Sequence, residues 1–176
     1  HPGASDPRRH WPAERFAEIA GTLAGAGATV LVVGSADEAE LVDRVVGPAR
    51  HRGAVRGLVG RLSLSGLLGV LARSAVVVAN DSGPRHLAEA VGTPTVSVYW
   101  CGNMINSGPF GRATDRPHIS WTVHCPACGN RLTAPEVPDC GHLTSWVTDV
   151  AVGPVLADVR DLLEGSQPMR AARPAG

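Results

Sequence analysis

Residues 75–99 read AVVVANDSGPRHLAEAVGTPTVSVY, and this stretch carries the strongest structural signal in the chain. AVVVA at 75–79 and TVSVY at 95–99 are short, continuous apolar runs, and HLAEAV at 86–91 between them is typical of a helix. Continuous apolar runs indicate strands that are covered on both faces. The stretch therefore predicts two parallel, buried strands joined by a helix.

The same alternation extends on both sides of this unit. TVLVV at 29–33 predicts another buried strand, and shorter strands are expected at 54–59 and 118–123. Apolar spacing predicts helices at 12–26, 36–46, 64–73 and 153–164. We therefore expect an α/β fold with a Rossmann-like, doubly wound parallel sheet over residues 1–164, a Cys/His loop at about 121–146 and a disordered tail at 165–176. Since HPGAS at 1–5 is loop-like and follows no strand, we expect the sequence to be part of a longer protein.

Composition excludes several functional classes. The chain has 176 residues, 16 basic and 16 acidic groups, 44% hydrophobic residues and 18% charged residues, which is a globular composition. A net charge of zero argues against a broad nucleic-acid-binding face. The sequence contains neither an apolar run long enough to span a membrane nor a signal peptide.

Three polar turns follow predicted strands or open the chain. They are His1–Ser5, Gly34–Ser35 and Asp81–Gly83. Ligands of open parallel sheets bind beyond the carboxyl ends of the strands. We therefore expect the three turns to line one edge of the sheet and to form a binding site there.

The turn at Asp81–His86 has the features of an anion site at a helix start. Ser82 is a candidate N-cap, and Gly83 lets a ligand approach the backbone. Free N–H groups and the helix dipole favour phosphate, and Arg85 and His86 could add charged hydrogen bonds. The alternative is an ordinary capped helix with a surface histidine.

The other two turns are weaker candidates. In the first, Gly3 and Ser5 could contact a pyrophosphate while Arg8 or Arg9 balances its charge, although a solvated basic linker would look similar. In the second, acids after Gly34–Ser35 could meet a ribose, but acids also occur at helix starts for electrostatic reasons alone.

Cysteine spacing indicates a metal site in the second half of the chain. Cys125 and Cys128 form a CxxC pair, and Cys140 and His142 could complete a tetrahedral set of ligands for a structural zinc ion. Unligated thiols or a disulfide are the alternatives, although nothing suggests an oxidising compartment. Cys101 stands apart and is expected to be a small buried apolar residue.

Several segments together resemble the C-terminal half of glycosyltransferase family 9, the heptosyltransferase-like family. The resemblance covers about residues 1–164 and rests on HPGAS at 1–5, RRHWPAERFAEIA at 8–20, VLVVGSADE at 30–38, GRLSL at 60–64, the stretch at 76–99, and CPACG and CGH at 125–129 and 140–142. Each segment alone is moderately specific, but the spaced combination is highly specific.

The resemblance implies a GT-B architecture, in which a cleft between two Rossmann-like domains holds the active site. This chain would be the C-terminal domain, which binds a nucleoside diphosphate sugar, ADP-linked in the best-known members. The positions implied for donor binding, together with the acids of the second turn, are Ala4, Ser5, Arg9, Gly34, Glu38, Leu62, Asp81, Ser82, Gly83 and His86. The general base would belong to an N-terminal domain outside these 176 residues.

By the same resemblance, the reaction is an inverting, metal-independent sugar transfer to a cell-envelope glycan or glycolipid, in the cytoplasm or at the inner face of the membrane. Arg9 replaces the family's more usual lysine, and the Cys/His segment differs in spacing from that of the lipopolysaccharide enzymes.

Two alternative functions stay open. One is a GT-B sugar-nucleotide epimerase, for which Glu89 is the only candidate acid after the Asp-Ser-Gly turn, and the other is a non-catalytic nucleotide-binding or zinc-stapled interaction module.

Overall fold

A computed structural model describes residues 1–52, 54–133 and 140–165 of the chain. The tail expected beyond residue 165 lies outside the described residues, and Gly165 itself ends the last helix. None of the helices in the described part is long and apolar enough to cross a membrane.

Helices and strands alternate along the described chain as predicted. The strands are β1 (Val30–Gly34), β2 (Val55–Val59), β3 (Val77–Asn80), β4 (Thr95–Trp100) and β5 (Asp115–Ser120). The helices are α1 (Ala13–Gly25), α2 (Ala39–Val46), α3 (Leu64–Ala72), α4 (Gly83–Ala90), α5 (Cys101–Ser107) and α6 (Val152–Gly165). Short 3-10 turns lie at Pro7–Arg9, Ala36–Glu38 and Gly47–Arg52.

All paired strands are parallel, which confirms the α/β class. They form two hydrogen-bonded groups, β1-β2 and β3-β4-β5, rather than one continuous ladder. A cavity of about 780 Å³ separates the groups and is lined by the facing apolar residues of β1 and β3. The carboxyl ends of the strands in each group share one edge because parallel neighbours run in the same direction.

One apolar core connects the two groups of strands. Val32 of β1 and Val96 of β4 belong to the same buried cluster, together with Val155 of α6. Trp11 is fully buried at its centre, where its ring meets Phe16 edge-on at 5.1 Å and its Nε1 donates to the carbonyl of Val150 at 2.9 Å. These contacts hold the loop before α1 in place, and that loop carries the first polar turn.

Differences from the sequence-based prediction are concentrated after residue 100. Helix α5 was not predicted, because CGNMINS is rich in residues that favour turns. Strand β5 begins at Asp115 rather than 118, because Asp115 accepts a hydrogen bond from Thr95 Oγ1 at 2.6 Å and continues the pairing with β4. Cys101 is the first residue of α5 and only half-buried, so the expectation of a buried position is wrong.

Candidate functional site

The three polar turns meet at one edge. His1 connects them, since its Nδ1 lies 3.2 Å from Ser82 Oγ and its Nε2 lies 3.3 Å from Glu38 Oε2. Asn80, the fully buried last residue of β3, donates to the carbonyl of Pro2 at 2.6 Å. The residues after β1, after β3 and at the start of the sequence therefore form a single surface.

Asp81 is the centre of this surface. Its carboxylate accepts from Arg9 Nη1 at 3.1 Å, from Asn103 Nδ2 at 2.8 Å and from Ser107 Oγ at 3.1 Å, and it lies 3.4 Å from His86 Nε2. Only 4% of the side chain is exposed, so these partners compensate the cost of burying the charge. We call these five residues the Asp81 cluster. Because protein donors already bond both oxygens, Asp81 fixes the orientation of its neighbours.

Arg9, rather than Arg8, joins the site. Asp6 caps the short turn at Pro7–Arg9 by accepting from the N–H of Arg8, and its carboxylate also pairs with the Arg8 guanidinium at 2.8 Å. Arg9 points the other way, and its Nη2 donates to Ser5 Oγ at 2.7 Å while Nη1 reaches Asp81. Ser5 and the α4 turn therefore lie on the same rim.

The start of α4 is open to a ligand. Ser82 occupies the N-cap position, but its hydroxyl faces His1 and makes no capping hydrogen bond. A methyl group placed on Gly83 would meet no protein atom within 4 Å, so there is free space above the helix start. Nearly half of the His86 side chain is exposed beside this space. Pro84 has no N–H and the next two N–H groups already donate to the Ser82 carbonyl, so an anion could accept from the Gly83 N–H and from His86.

The expectation that Arg85 adds a cation to this anion site is wrong. Only 1% of the side chain is exposed, and its Nη2 pairs with Glu89 at 3.0 Å and reaches the carbonyl of Ser107 at 3.3 Å. Its guanidinium also lies over the Tyr99 ring, 5.6 Å from the centroid. Arg85 points into the protein and holds α5 against α4, while His86, one residue later, faces the site.

Asn103 and Ser107 are site residues that sequence reasoning missed. Both lie on α5, four residues apart on one face, and the Ser107 hydroxyl also donates to the Asn103 carbonyl at 2.9 Å. The available signal was this spacing of two polar side chains directly after a buried strand. It was hidden because the segment did not indicate a helix.

The remaining candidates lie on the same edge in less open positions. Glu38 Oε2 accepts from the N–H of Ser35 at 2.8 Å in a capping box, and the Glu38 carboxylate reaches over Gly3, where a Cβ would clash with it at 1.6 Å. Gly34 ends β1, and Leu62 is a half-buried residue in the segment between β2 and α3. The Ala4 N–H already donates to a histidine ring at 3.0 Å, so a ligand contact there would replace this bond.

The Cys/His loop forms a second cluster that could hold a metal ion. The ligand atoms of Cys125, Cys128, Cys140 and His142 all lie within 4.8 Å of one another. A tetrahedral zinc ion with about 2.3 Å bonds to sulfur needs ligands about 3.8 Å apart. All four cysteines of the chain are free thiols, so the structure does not contain the alternative disulfide.

Local hydrogen bonds prepare one of these thiols for metal binding. Burial raises the pKa of the Cys125 thiol, but the N–H groups of Ala127 and Cys128 lower it, and it falls to about 7. A thiol with this pKa is about half thiolate at neutral pH, and thiolate is the form that binds a metal.

Comparisons with known proteins agree with this architecture. Residues 1–131 match the family model of glycosyltransferase family 9 (heptosyltransferase). Lipopolysaccharide heptosyltransferase 1 of Pseudomonas aeruginosa is 33% identical over 121 residues, which are 68% of this chain and 32% of that protein. The chain spans about a third of the length of the curated relatives it matches.

Solved structures extend the likeness at the level of the fold. E. coli ADP-heptose lipopolysaccharide heptosyltransferase II has a TM-score of 0.75 and 23% identity over 95% of this chain and 46% of that one. E. coli heptosyltransferase WaaC with ADP has a TM-score of 0.62 and 23% identity over 94% of this chain and 42% of that one. The shared part is a Rossmann-like α/β unit of the kind found in these GT-B enzymes. The chain belongs to glycosyltransferase family 9 (heptosyltransferase).

Proposed function

We propose that residues 1–164 are the C-terminal, donor-binding domain of a glycosyltransferase that transfers a heptose-like sugar from a nucleoside diphosphate. The observation that carries this proposal is the Asp81 cluster, which sets Arg9 and His86 beside the open start of α4. Such a rim combines the Arg9 guanidinium, the His86 ring and the Gly83 N–H at the start of α4. This combination suits a diphosphate better than a neutral ligand.

The chemistry that this domain would perform is stabilisation of the leaving group. As the bond from the anomeric carbon to the diphosphate breaks, negative charge grows on the departing oxygen. Arg9, His86 and the Gly83 N–H would stabilise that charge without a metal ion, and Asp81 already holds the two side chains in position. Attack from the opposite side would invert the anomeric centre. The base that deprotonates the acceptor hydroxyl would come from a partner N-terminal domain.

ADP is the proposed nucleotide of the donor. The support comes from relatives, because E. coli heptosyltransferase WaaC has been solved with ADP and with ADP-2-deoxy-2-fluoro heptose. Ala4, Ser5, Ser82 and Gly83 would contact the phosphates, while Gly34, Glu38 and Leu62 would lie towards the nucleoside. The acceptor is proposed to be a cell-envelope glycan or glycolipid, and action at the inner face of the cell membrane stays a prediction.

The two alternative functions have less support. An epimerase needs an acid for ribose binding after the α4 turn, but the only candidate, Glu89, is paired with Arg85 at 3.0 Å. A non-catalytic module could use the same rim, but the family that the chain belongs to is one of glycosyltransferases. We therefore favour the transferase.

We also propose that the Cys/His loop holds a structural zinc ion. Three thiols and one imidazole are the ligands that zinc prefers, and four protein ligands leave no position open for catalysis. Zinc would then stabilise the loop and take no part in sugar transfer.

Calorimetric titration of the chain with ADP, UDP and GDP tests the donor proposal. We expect ADP to bind and Arg9→Ala to weaken that binding about tenfold, because a charged hydrogen-bond donor is lost. Arg160→Ala is the matched control, since Arg160 is an exposed residue of α6. Absence of binding by all three nucleotides, or equal affinity in the two variants, would contradict the proposal.

A further inference from the structure

A second polar cavity lies beside the Asp81 cluster, between the Pro7–Arg9 turn and the Cys/His loop. Its volume is about 430 Å³. Its lining includes Arg8, Arg9, Asn103, Asn130 and Arg131. The cavity shares Arg9 with the proposed donor site, but neither that site nor the proposed metal site uses Asn130 or Arg131.

The charges around the cavity favour an anion. Its lining contains the guanidinium groups of Arg8, Arg9 and Arg131 and the single carboxylate of Asp6. The amide side chains of Asn103 and Asn130 add neutral donors. Arg8 donates Nε and Nη2 to Asp6, and both Nη atoms of Arg9 already donate within the protein, so it is the excess positive charge of the lining that favours an anion such as phosphate.

Two of the arginines are held in place before any ligand arrives. The Arg8 guanidinium pairs with Asp6 and lies over the Trp146 ring, 4.4 Å from its centroid. Arg9 is fixed by Ser5 and Asp81. A bound anion would not have to order these side chains, which lowers the entropic cost of binding.

The position of Arg131 depends on the Cys/His loop. The N–H of Cys125 donates to the carbonyl of Asn130 at 2.7 Å, and the N–H of Leu132 donates to the carbonyl of Val123 at 2.9 Å. Cys140, another member of the candidate metal cluster, also lines the cavity. A metal ion in the cluster would therefore fix the wall that carries Arg131.

We propose that this cavity is a second oxyanion subsite of the phosphate class, adjacent to the donor diphosphate site with which it shares Arg9, and that metal bound to the Cys/His loop completes it. The proposal rests on the proposed metal site and does not require that the donor is ADP-linked. It assigns the unusual Cys/His loop a binding role in addition to a structural one.

The test is a calorimetric titration of the zinc-loaded chain with inorganic phosphate in the presence of saturating ADP. We expect phosphate to bind, and Arg131→Gln to weaken its binding about fivefold to tenfold, because one charged wall of the cavity is removed. Arg160→Gln should leave the affinity unchanged. Elemental analysis of both variants should show the same zinc content, which excludes loss of the loop structure. Removal of zinc with a chelator should weaken phosphate binding as Arg131→Gln does.

Three results would overturn the proposal. They are equal phosphate affinity in Arg131→Gln and Arg160→Gln, displacement of phosphate by ADP, and unchanged phosphate affinity after zinc removal. If ADP itself does not bind, the donor function fails instead, and the same phosphate titration without ADP still tests the cavity.

Discussion

The Asp81 cluster and the Cys/His loop lie side by side, yet they obtain their order in different ways. The contacts of Asp81 reach across the sequence to Arg9 and to Asn103, 72 and 22 positions away. In the described part of the Cys/His loop, residues 123–132 are joined by local bonds, such as that from Gly129 N to the Cys125 carbonyl, while Ser145 and Trp146 at its end donate to the carbonyls of His10 and Arg8. The comparison suggests that the fold alone organises the first region, whereas the second needs an ion.

Of the changes predicted here, metal removal should cause the largest loss in the free energy of unfolding. A structural ion present at about a thousand times its dissociation constant contributes about 4 kcal/mol to the free energy of unfolding, and a chelator would remove that contribution. Thermal denaturation with and without chelator measures the loss, and trypsin should then cleave at Arg131. Purified protein with less than roughly half an equivalent of zinc would contradict the metal site.

Metal affinity should also depend on pH. The pKa of Cys125 lies at about 7. As the pH falls below this value, protons compete with the metal for the thiolate, so the affinity should decrease. A metal affinity that stays constant on acidification through this range would indicate that Cys125 is not a ligand.

Asp81→Ala should cause the next largest loss in the free energy of unfolding. Without the carboxylate, the half-buried Arg9, Asn103 and Ser107 each lose a charged acceptor, which should lower the free energy of unfolding by about 3 kcal/mol. Urea denaturation measures this loss, and Asp149→Ala, at an exposed position, is the control. A similarly small loss in both variants would mean that the fold does not depend on the Asp81 cluster.

Asn103→Ala removes a single hydrogen bond to the same carboxylate. Because that acceptor is charged, we expect a loss of about 1.5 kcal/mol in the free energy of unfolding. Asn106→Ala is the matched control for Asn103→Ala, since Asn106 lies on the same helix in an exposed position. If the two variants unfold at the same urea concentration, α5 is not part of the cluster.

Arg9→Lys should have the smallest effect and tests the geometry rather than the charge. Arg9 reaches Ser5 and Asp81 through two different nitrogens, and lysine has only one. Under the proposed donor function, we expect ADP affinity to fall about threefold, as measured by calorimetry, with Arg160→Lys unchanged. A loss as large as that of Arg9→Ala would show that the side chain binds ADP through its fork and not only through its charge.

Particular elements show where sequence-based prediction succeeded. The strands at 29–33 and 75–79 and the helices before and after them were predictable because apolar runs and apolar periodicity are local signals. The expectation that the strand at 29–33 is covered on both faces is wrong, because Leu31 is exposed. Strand β5 was predicted only in part, because Pro117 and His118 are poor strand formers that are held by pairing with β4. Helix α5 was not predicted because its order comes from contacts with Asp81 and Tyr99.

The sequence by itself determined the alternation of strands and helices, the three polar turns and the four metal-ligand candidates, since apolar periodicity and residue spacing are local properties. Only the tertiary structure decided that Arg9 and not Arg8 faces Asp81, that Arg85 turns inward, and that Arg131 lines the same cavity as Arg8 and Arg9. The physical reason is that a side chain's direction depends on which distant donors and acceptors satisfy it, and those partners are set by packing.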